Sequence, residues 1–276
     1  MPGPAAEVLK KMHSSNYILH ARAGQLAKVP VEKARLPHDP EASPQSIQLV
    51  RSPEGAIFAR LASVICKSTD GGRSWRSQPV RNPKGVELGW RWKVLSDGTF
   101  LSVACQVGKD AKDAATVWIS RDEGRTWSQR AQIPLSMSLP TGRPYAERYV
   151  HRGLNKLQDG TLIWAIDIRD DPFTRGHGLF FFRSADGGRT WQGPTLVHDW
   201  GSEGAATLTP SGRIVATLRY QRKGHSSDPA GLEKLNRSIS PGWPCKHVFL
   251  IESTDHGKTW SSPRQLTTVF GQTFGY

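Results

Sequence analysis

The sequence predicts an all-β protein built from repeated four-stranded sheets, and three recurring signals in its 276 residues carry that reading. The first is an octapeptide, S-x-D-x-G-[RK]-[ST]-W, found as STDGGRSW at Ser68, SRDEGRTW at Ser120, SADGGRTW at Ser184 and STDHGKTW at Ser253. The second is a turn ending in glycine ahead of an apolar, β-rich run: SPEG-AIFARLA, LSDG-TFLSVACQV, LQDG-TLIWAIDIR and TPSG-RIVATLRYQ, with glycines Gly55, Gly98, Gly160 and Gly212. The third is another apolar run leading into each octapeptide: SVICKS, ATVWIS, GLFFFRS and HVFLIES.

A glycine closing a tight turn before a run of Val, Ile, Leu, Phe and Thr marks a hairpin. Each unit therefore reads strand, hairpin, strand, loop, strand, octapeptide, strand. Four antiparallel strands in a repeat of roughly 40–70 residues make a β-propeller blade. The octapeptide suits that role. Its Asp accepts backbone N–H groups of its own turn, its Gly takes a positive φ, and its Ser or Thr hydroxyl adds a local bond. The closing Trp is an apolar plate sized for the wedge between neighbouring blades. The expectation is four blades plus the start of a fifth at FGQTFGY, with the natural chain continuing for about two more blades.

Composition narrows the function classes. The chain is 37% hydrophobic and 22% charged, as in an ordinary globular protein. Its longest compact apolar run is LFFF at Leu179, so no membrane span is expected. The opening MPGPAAEVLKKMHSSNYILHARAG lacks the apolar core of a secretory signal, which fits a cytoplasmic protein or a secreted one whose leader is lost. Residues 1–45 read as an N-terminal arm or linker, or as the donor of a ring-closing outer strand. Residues 46–276 read as the propeller domain. The cysteines, Cys66, Cys105 and Cys245, form neither a disulfide framework nor a zinc pattern, and Cys66 and Cys105 sit in apolar runs as buried thiols. No metal cluster, phosphate loop or nucleotide fingerprint is present, and no cofactor is implied.

The formal charge of +13 favours anionic partners. Part of it belongs to the repeat, where Arg73, Arg125, Arg189 and Lys258 share one turn position. Nucleic acid ranks low as a partner, because four of the ten tryptophans are packed repeat residues rather than exposed stacking platforms.

The octapeptide is the Asp box, or bacterial neuraminidase repeat. From about Ser46 to Tyr276 the chain resembles the sialidase family of six-bladed β-propellers. The resemblance implies that Asp70, Asp122, Asp186 and Asp255 are structural and lie away from the catalytic funnel. It also implies an exo-glycoside hydrolase acting on sialic acid or another acidic terminal sugar, with an anionic glycan or glycoconjugate as its partner.

Aligning the repeats on their hairpin glycines places candidate residues at equivalent strand ends. Ser46, Gly89, His151 and Glu203 stand nine residues before, and Ala62, Cys105, Asp167 and Arg219 seven after. Glu203 and Arg219 thus end two hairpin-paired strands, where a charged pair needs a partner or a purpose. GSEGAATLTPSGRIVATLRYQ resembles the sialidase segment in which a Glu opens one strand and an Arg closes the next. That resemblance makes Glu203 the base that accepts a proton from a tyrosine nucleophile. It makes Arg219 one member of an arginine clamp on the substrate carboxylate, a role suited to its rigid fork. The structural alternative is a salt bridge tying two strands.

Blade three adds Asp167 and Arg169, which period-two alternation puts on one face of DIRDD. Asp167 is a candidate general acid if buried, or a solvated loop carboxylate paired with Arg169 if not. Arg91, between Trp90 and Trp92, reaches the channel or caps the tryptophans. His151 is a rim residue or a core histidine. The family pattern is absent elsewhere: QSIQLV carries no first-blade arginine, and ARLAS no aspartic acid. None of Tyr17, Tyr145, Tyr149, Tyr220 and Tyr276 sits in a nucleophile context. Those departures support two alternatives, a non-catalytic Asp-box propeller binding carbohydrate or protein, and a purely structural one.

Overall fold

In the computed structural model the described residues are 17–22, 25–30, 32, 36–37, 47–61, 64–81, 88, 92–104, 114–137, 147–149, 153–169, 177–198, 202–220 and 247–266. They contain strands and no helix, so none is long and apolar enough to cross a membrane among them. FGQTFGY, Arg91, His151, Cys105 and Cys245 lie outside them.

Four antiparallel sheets follow the predicted repeat. Blade one holds β3 (Gln48–Arg51), β4 (Ile57–Arg60), β5 (Val64–Ser68) and β6 (Arg76–Pro79). Blade two holds β7 (Trp92–Val94), β8 (Phe100–Ala104), β9 (Ala114–Ser120) and β10 (Ser128–Pro134). Blade three has β13 (Leu162–Arg169), β14 (His177–Ser184) and β15 (Gln192–His198), with two short strands, β11 (Glu147–Tyr149) and β12 (Leu154–Lys156), sharing its inner position. Blade four holds β16 (Ser202–Leu208), β17 (Ile214–Tyr220), β18 (His247–Ser253) and β19 (Arg264–Gln265). A separate hairpin of β1 (Tyr17–Arg22) and β2 (Gln25–Pro30) precedes them.

The innermost strands touch in succession, β3 to β7, β7 to β12 and β12 to β16, as around a propeller axis. Between the sheets lie three seams. Phe58, Ile65, Trp92 and Phe100 fill the first, with Phe58 and Phe100 edge to face at 4.9 Å. Leu101, Val117, Trp164 and Phe182 fill the second. Ala165, Phe181, Ala216 and Ile251 fill the third. On the other face of blade one, Ala59, Leu61 and the buried Cys66 pack with Leu36 and Trp75. Glu32 also accepts a hydrogen bond from Arg73 Nε at 3.1 Å, so part of the segment ahead of the propeller lies against blade one.

The Asp boxes behave as staples. In the box at Ser120, the Ser Oγ accepts the Gly124 N–H at 2.8 Å and donates to Asp122 Oδ1 at 2.7 Å. Asp122 then accepts the Thr126 N–H at 2.8 Å and the Thr126 hydroxyl at 2.6 Å. The same pattern recurs around Asp70, Asp186 and Asp255. Each tryptophan packs on the seam with the preceding blade: Trp127 on the first, Trp191 on the second, Trp260 on the third. Trp75 packs on the free face of blade one. Glycine is required at the heart of the turn: a Cβ on Gly124 would come within 2.3 Å of Ile65 Cδ1 on the blade before.

Candidate functional site

Antiparallel strands joined by short hairpins sort the molecule into two ends. The hairpin glycines and the Asp boxes share one end, the turn face. The last residues of β4, β8, β13 and β17 share the other, the strand-end face, and all the chemistry-bearing candidates of blades three and four stand there.

Asp167 is buried, 1% exposed, two residues before the end of β13. This excludes the solvated-loop reading of its carboxyl. Its face is decided by alternation: Trp164, Ile166 and Ile168 belong to the seam with blade two, and Ile163 and Ala165 to the seam with blade four. Asp167 shares the latter face. Its ladder partners are Leu179 on β14 and Tyr149 on β11. Sequence reasoning passed over Tyr149, because nothing in its local context signals that β11 pairs with the end of β13.

Blade four departs from the register the sequence predicts. A regular hairpin would set Glu203 opposite Arg219, but the ladder slips, and Ser202 takes that position. With Ala205 opposite Thr217, both Glu203 and Gly204 stand against Leu218 alone, a bulge. Gly204 explains the local approach of the blades. A Cβ there would lie 2.9 Å from Leu179 Cδ2 and 2.9 Å from Phe181 Cε1, so the absence of a side chain lets β16 close onto β14. Leu179 is the residue opposite Asp167. The backbone of Glu203 is thereby brought next to the contact that adjoins Asp167, across the seam of blades three and four. Arg219 sits on the other face of β17, since Ala216 and Leu218 point into the seam and Arg219 alternates with them. Arg169 ends β13 opposite Glu147 and His177. Thus the backbone at Glu203 and Gly204 lies across the seam that Asp167 faces, Arg219 points to the other face of β17, and Arg91 and His151 lie outside the described residues.

Two residues the sequence reading missed belong in this account. Arg60, 3% exposed, ends β4 on the strand-end face, paired in the ladder with Gln48. Gln48 Oε1 accepts the Trp92 N–H at 3.0 Å and so joins blades one and two. The signal was a charged residue inside the apolar run AIFARLA. Lys93 is the second: burial, then the charge of Lys156, pushes its amine down to about 8.

The turn face titrates differently. Burial works against ionisation of Asp122 and Asp186, yet the hydrogen bonds of Thr126 and Thr190 outweigh it and hold both carboxyls down to about 2. At Asp70 and Asp255 the hydrogen bonds of Ser74 and Thr259 are the main cause, and the carboxyls lie well below the usual range. Permanently ionised acceptors suit a staple and not a proton donor. An open cleft of about 1020 Å³ also lies on this face, between blades one and two, lined by Arg51, Glu54, Lys67, Asp97, Arg121 and Glu123. Its charges are balanced and it faces away from Asp167. No group of three His, Cys, Asp or Glu side chains among the described residues is arranged to hold a metal ion.

Comparison with known families places this geometry. The BNR repeat-like domain model matches residues 93–228, and the BNR/Asp-box repeat model matches residues 251–262. These matches place BNR repeats on blades two to four of a β-propeller fold. Among solved structures, this propeller is similar to an α-L-arabinofuranosidase of Fusarium graminearum, at 16% identity and a TM-score of 0.53 over 84% of this chain and 69% of that one. It is similar to an α-L-arabinanase of Penicillium chrysogenum at 15% identity, with a TM-score of 0.53 over 84% of this chain and 70% of the other. At such identity the likeness is one of fold. Comparison with curated protein sequences finds no match.

Proposed function

We propose that this propeller is a glycoside hydrolase acting on the terminal sugar of a glycan, with Glu203 and Asp167 as its carboxyl pair and Arg219 binding an anionic group of the substrate. The observation that supports the proposal is the glycine-mediated closure of β16 onto β14, which brings the strand carrying Glu203 against Leu179, the ladder partner of the buried Asp167. A buried carboxyl next to a second one is the arrangement in which environment separates an acid from a base. In this assignment Asp167 donates a proton to the leaving glycosidic oxygen, and Glu203 accepts one from the attacking group. Arg219 supplies two parallel N–H donors to a carboxylate. The likeness of fold to an α-L-arabinofuranosidase and an α-L-arabinanase supports the glycosidase reading and leaves the acidic sugar to be decided by Arg219.

The test is hydrolysis of umbelliferyl sialoside, glucuronide and α-L-arabinofuranoside by the wild type and by Glu203→Gln, Asp167→Asn and Arg219→Ala. The proposal expects both carboxyl variants to lose turnover on any accepted substrate, and Arg219→Ala to weaken only the acidic ones. Turnover unchanged in both carboxyl variants excludes the site. Binding of the glycans without hydrolysis would favour a lectin-like propeller, the reading supported by the first blade, where QSIQLV contributes Gln48 and no arginine to the strand-end face.

A further inference from the structure

Two lysines from different blades meet on the inner wall of the propeller. Lys93 is the middle residue of β7 and Lys156 the last of β12, and these innermost strands touch each other. Ladder partners show where each side chain points. Lys93 pairs with Leu101 and Lys156 with Leu162, and both leucines belong to the seam between blades two and three. The lysines therefore face one another across that seam. Lys156 Nζ donates to the backbone oxygen of Val94 at 2.7 Å, which holds its ammonium beside β7.

Like charges gathered in a half-buried place are unfavourable unless something neutralises them. Burial and the Lys156 charge are the causes acting on the Lys93 amine, and no carboxylate counters them among the described residues. Among the described residues, the Val94 carbonyl and the leucines Leu101, Leu154 and Leu162 stand on the same seam as the pair. Lys156 is exposed, so solvent reaches the site. Lys156 stands next to the hairpin turn, toward the end of the channel away from Asp167 and Glu203.

We propose that Lys93 and Lys156 form a binding site for a small oxyanion on the channel wall, and that the bound anion ties blades two and three together at their innermost strands. Phosphate, sulfate and the carboxylate of a sugar acid share the required chemistry: two or more oxygens carrying negative charge, able to accept from two ammonium groups at once. Occupancy demands a charged Lys93, so it weakens as pH rises above about 8. This site is independent of the proposed hydrolase activity.

The experiment follows acylation of Lys93 in the full chain by peptide mass spectrometry, together with thermal unfolding. Inorganic phosphate, sulfate and glucuronate are added separately, with ionic strength held constant by sodium chloride. A bound anion raises the Lys93 titration by about one unit and slows its acylation at pH 8 about fivefold, since the reactive free amine falls from about a half to about a tenth of the population. It also raises the unfolding temperature. Lys156→Met should remove the protection of Lys93, and Lys93→Met the gain in unfolding temperature; both variants should fold, because each relieves the repulsion. Protection by glucuronate alone would assign the site to a sugar acid, and protection by phosphate or sulfate to an inorganic ion. Equal acylation and equal unfolding temperatures with and without all three anions would overturn the proposal. So would an anion effect that persists in Lys156→Met.

Discussion

The two ends of the propeller are built on opposite rules. On the turn face, the four Asp boxes repeat the same hydrogen bonds within a few tenths of an ångström: Ser Oγ accepts its Gly N–H at 2.8 Å in all of them. On the strand-end face no two blades agree. Blade one ends β4 with buried Arg60, blade two ends β8 with Ala104, blade three places Asp167 near the end of β13, and blade four places Arg219 near the end of β17. Sameness maintains the scaffold, and difference marks the face to which the proposed chemistry is assigned. Variants on the two faces should therefore separate stability from activity.

The largest separation is expected for Glu203→Gln. If the strand-end face is catalytic, kcat/KM falls by about 10² to 10⁴, as for loss of a general base, while the unfolding temperature stays near that of the wild type. A parallel loss of stability would instead make Glu203 part of the scaffold. Next comes Gly188→Val on the turn face. Gly188 has φ +83, and a Cβ there meets Leu101 Cδ1 at 2.5 Å, so denaturant unfolding should show a loss of about 3 kcal/mol from left-handed strain and overpacking together. The activity of the folded fraction should be unchanged.

Asp122→Ala is expected to cost about 1–3 kcal/mol by leaving the Thr126 N–H and its neighbours without their acceptor. The same carboxylates give the turn face its pH dependence. A folded-state value of about 2 lies below the unfolded value of 3.8, so the stabilisation is complete above pH 4 and is lost as pH falls from about 4 to about 2. Thermal melts across that window should fall steeply for the wild type and less steeply for Asp122→Ala.

The smallest effects compare the boxes with each other. The residue before the second box glycine position is left-handed throughout: Gly71 at φ +76, Glu123 at +59, Gly187 at +68 and His256 at +59. His256→Gly should gain about 1 kcal/mol by removing that strain. Glu123→Gly should be near neutral, because it also removes the Glu123 carboxylate that pairs with Lys67 at 2.5 Å on the preceding blade, while the backbone carbonyl that accepts Gln78 Nε2 at 2.8 Å is kept. The difference in denaturation midpoint between the two variants isolates what the inter-blade ion pair contributes.

The Asp boxes were legible from the sequence because their bonds close within eight residues. A Ser, an Asp, a Gly and a Trp at set spacings are enough to specify the turn, its left-handed glycine and the side on which the plate packs. The blade count and strand order followed from the same local signals, with the alternation that puts Asp167 opposite in facing to Ile168. The site was legible only in part. Residue spacing placed Glu203 and Arg219 at one end of a hairpin, but the slip that sets Ser202 against Arg219 arises where Gly204 settles on Leu179 and Phe181 of the next blade. The division of the third inner strand into β11 and β12 follows a similar contact, Gly153 resting on the Ala165 backbone with its oxygen accepting the Ala165 N–H at 2.7 Å.

The amino-acid order alone determined the repeat, the turns and the wedge-shaped sheets, because those depend on bonds between near neighbours and on the two-residue period of a strand. Only the tertiary structure decided that Asp167 is buried, that Ser202 rather than Glu203 opposes Arg219, and that Lys93 meets Lys156. Each of those is a contact between blades, and it depends on how closely two sheets can approach, which no single segment encodes.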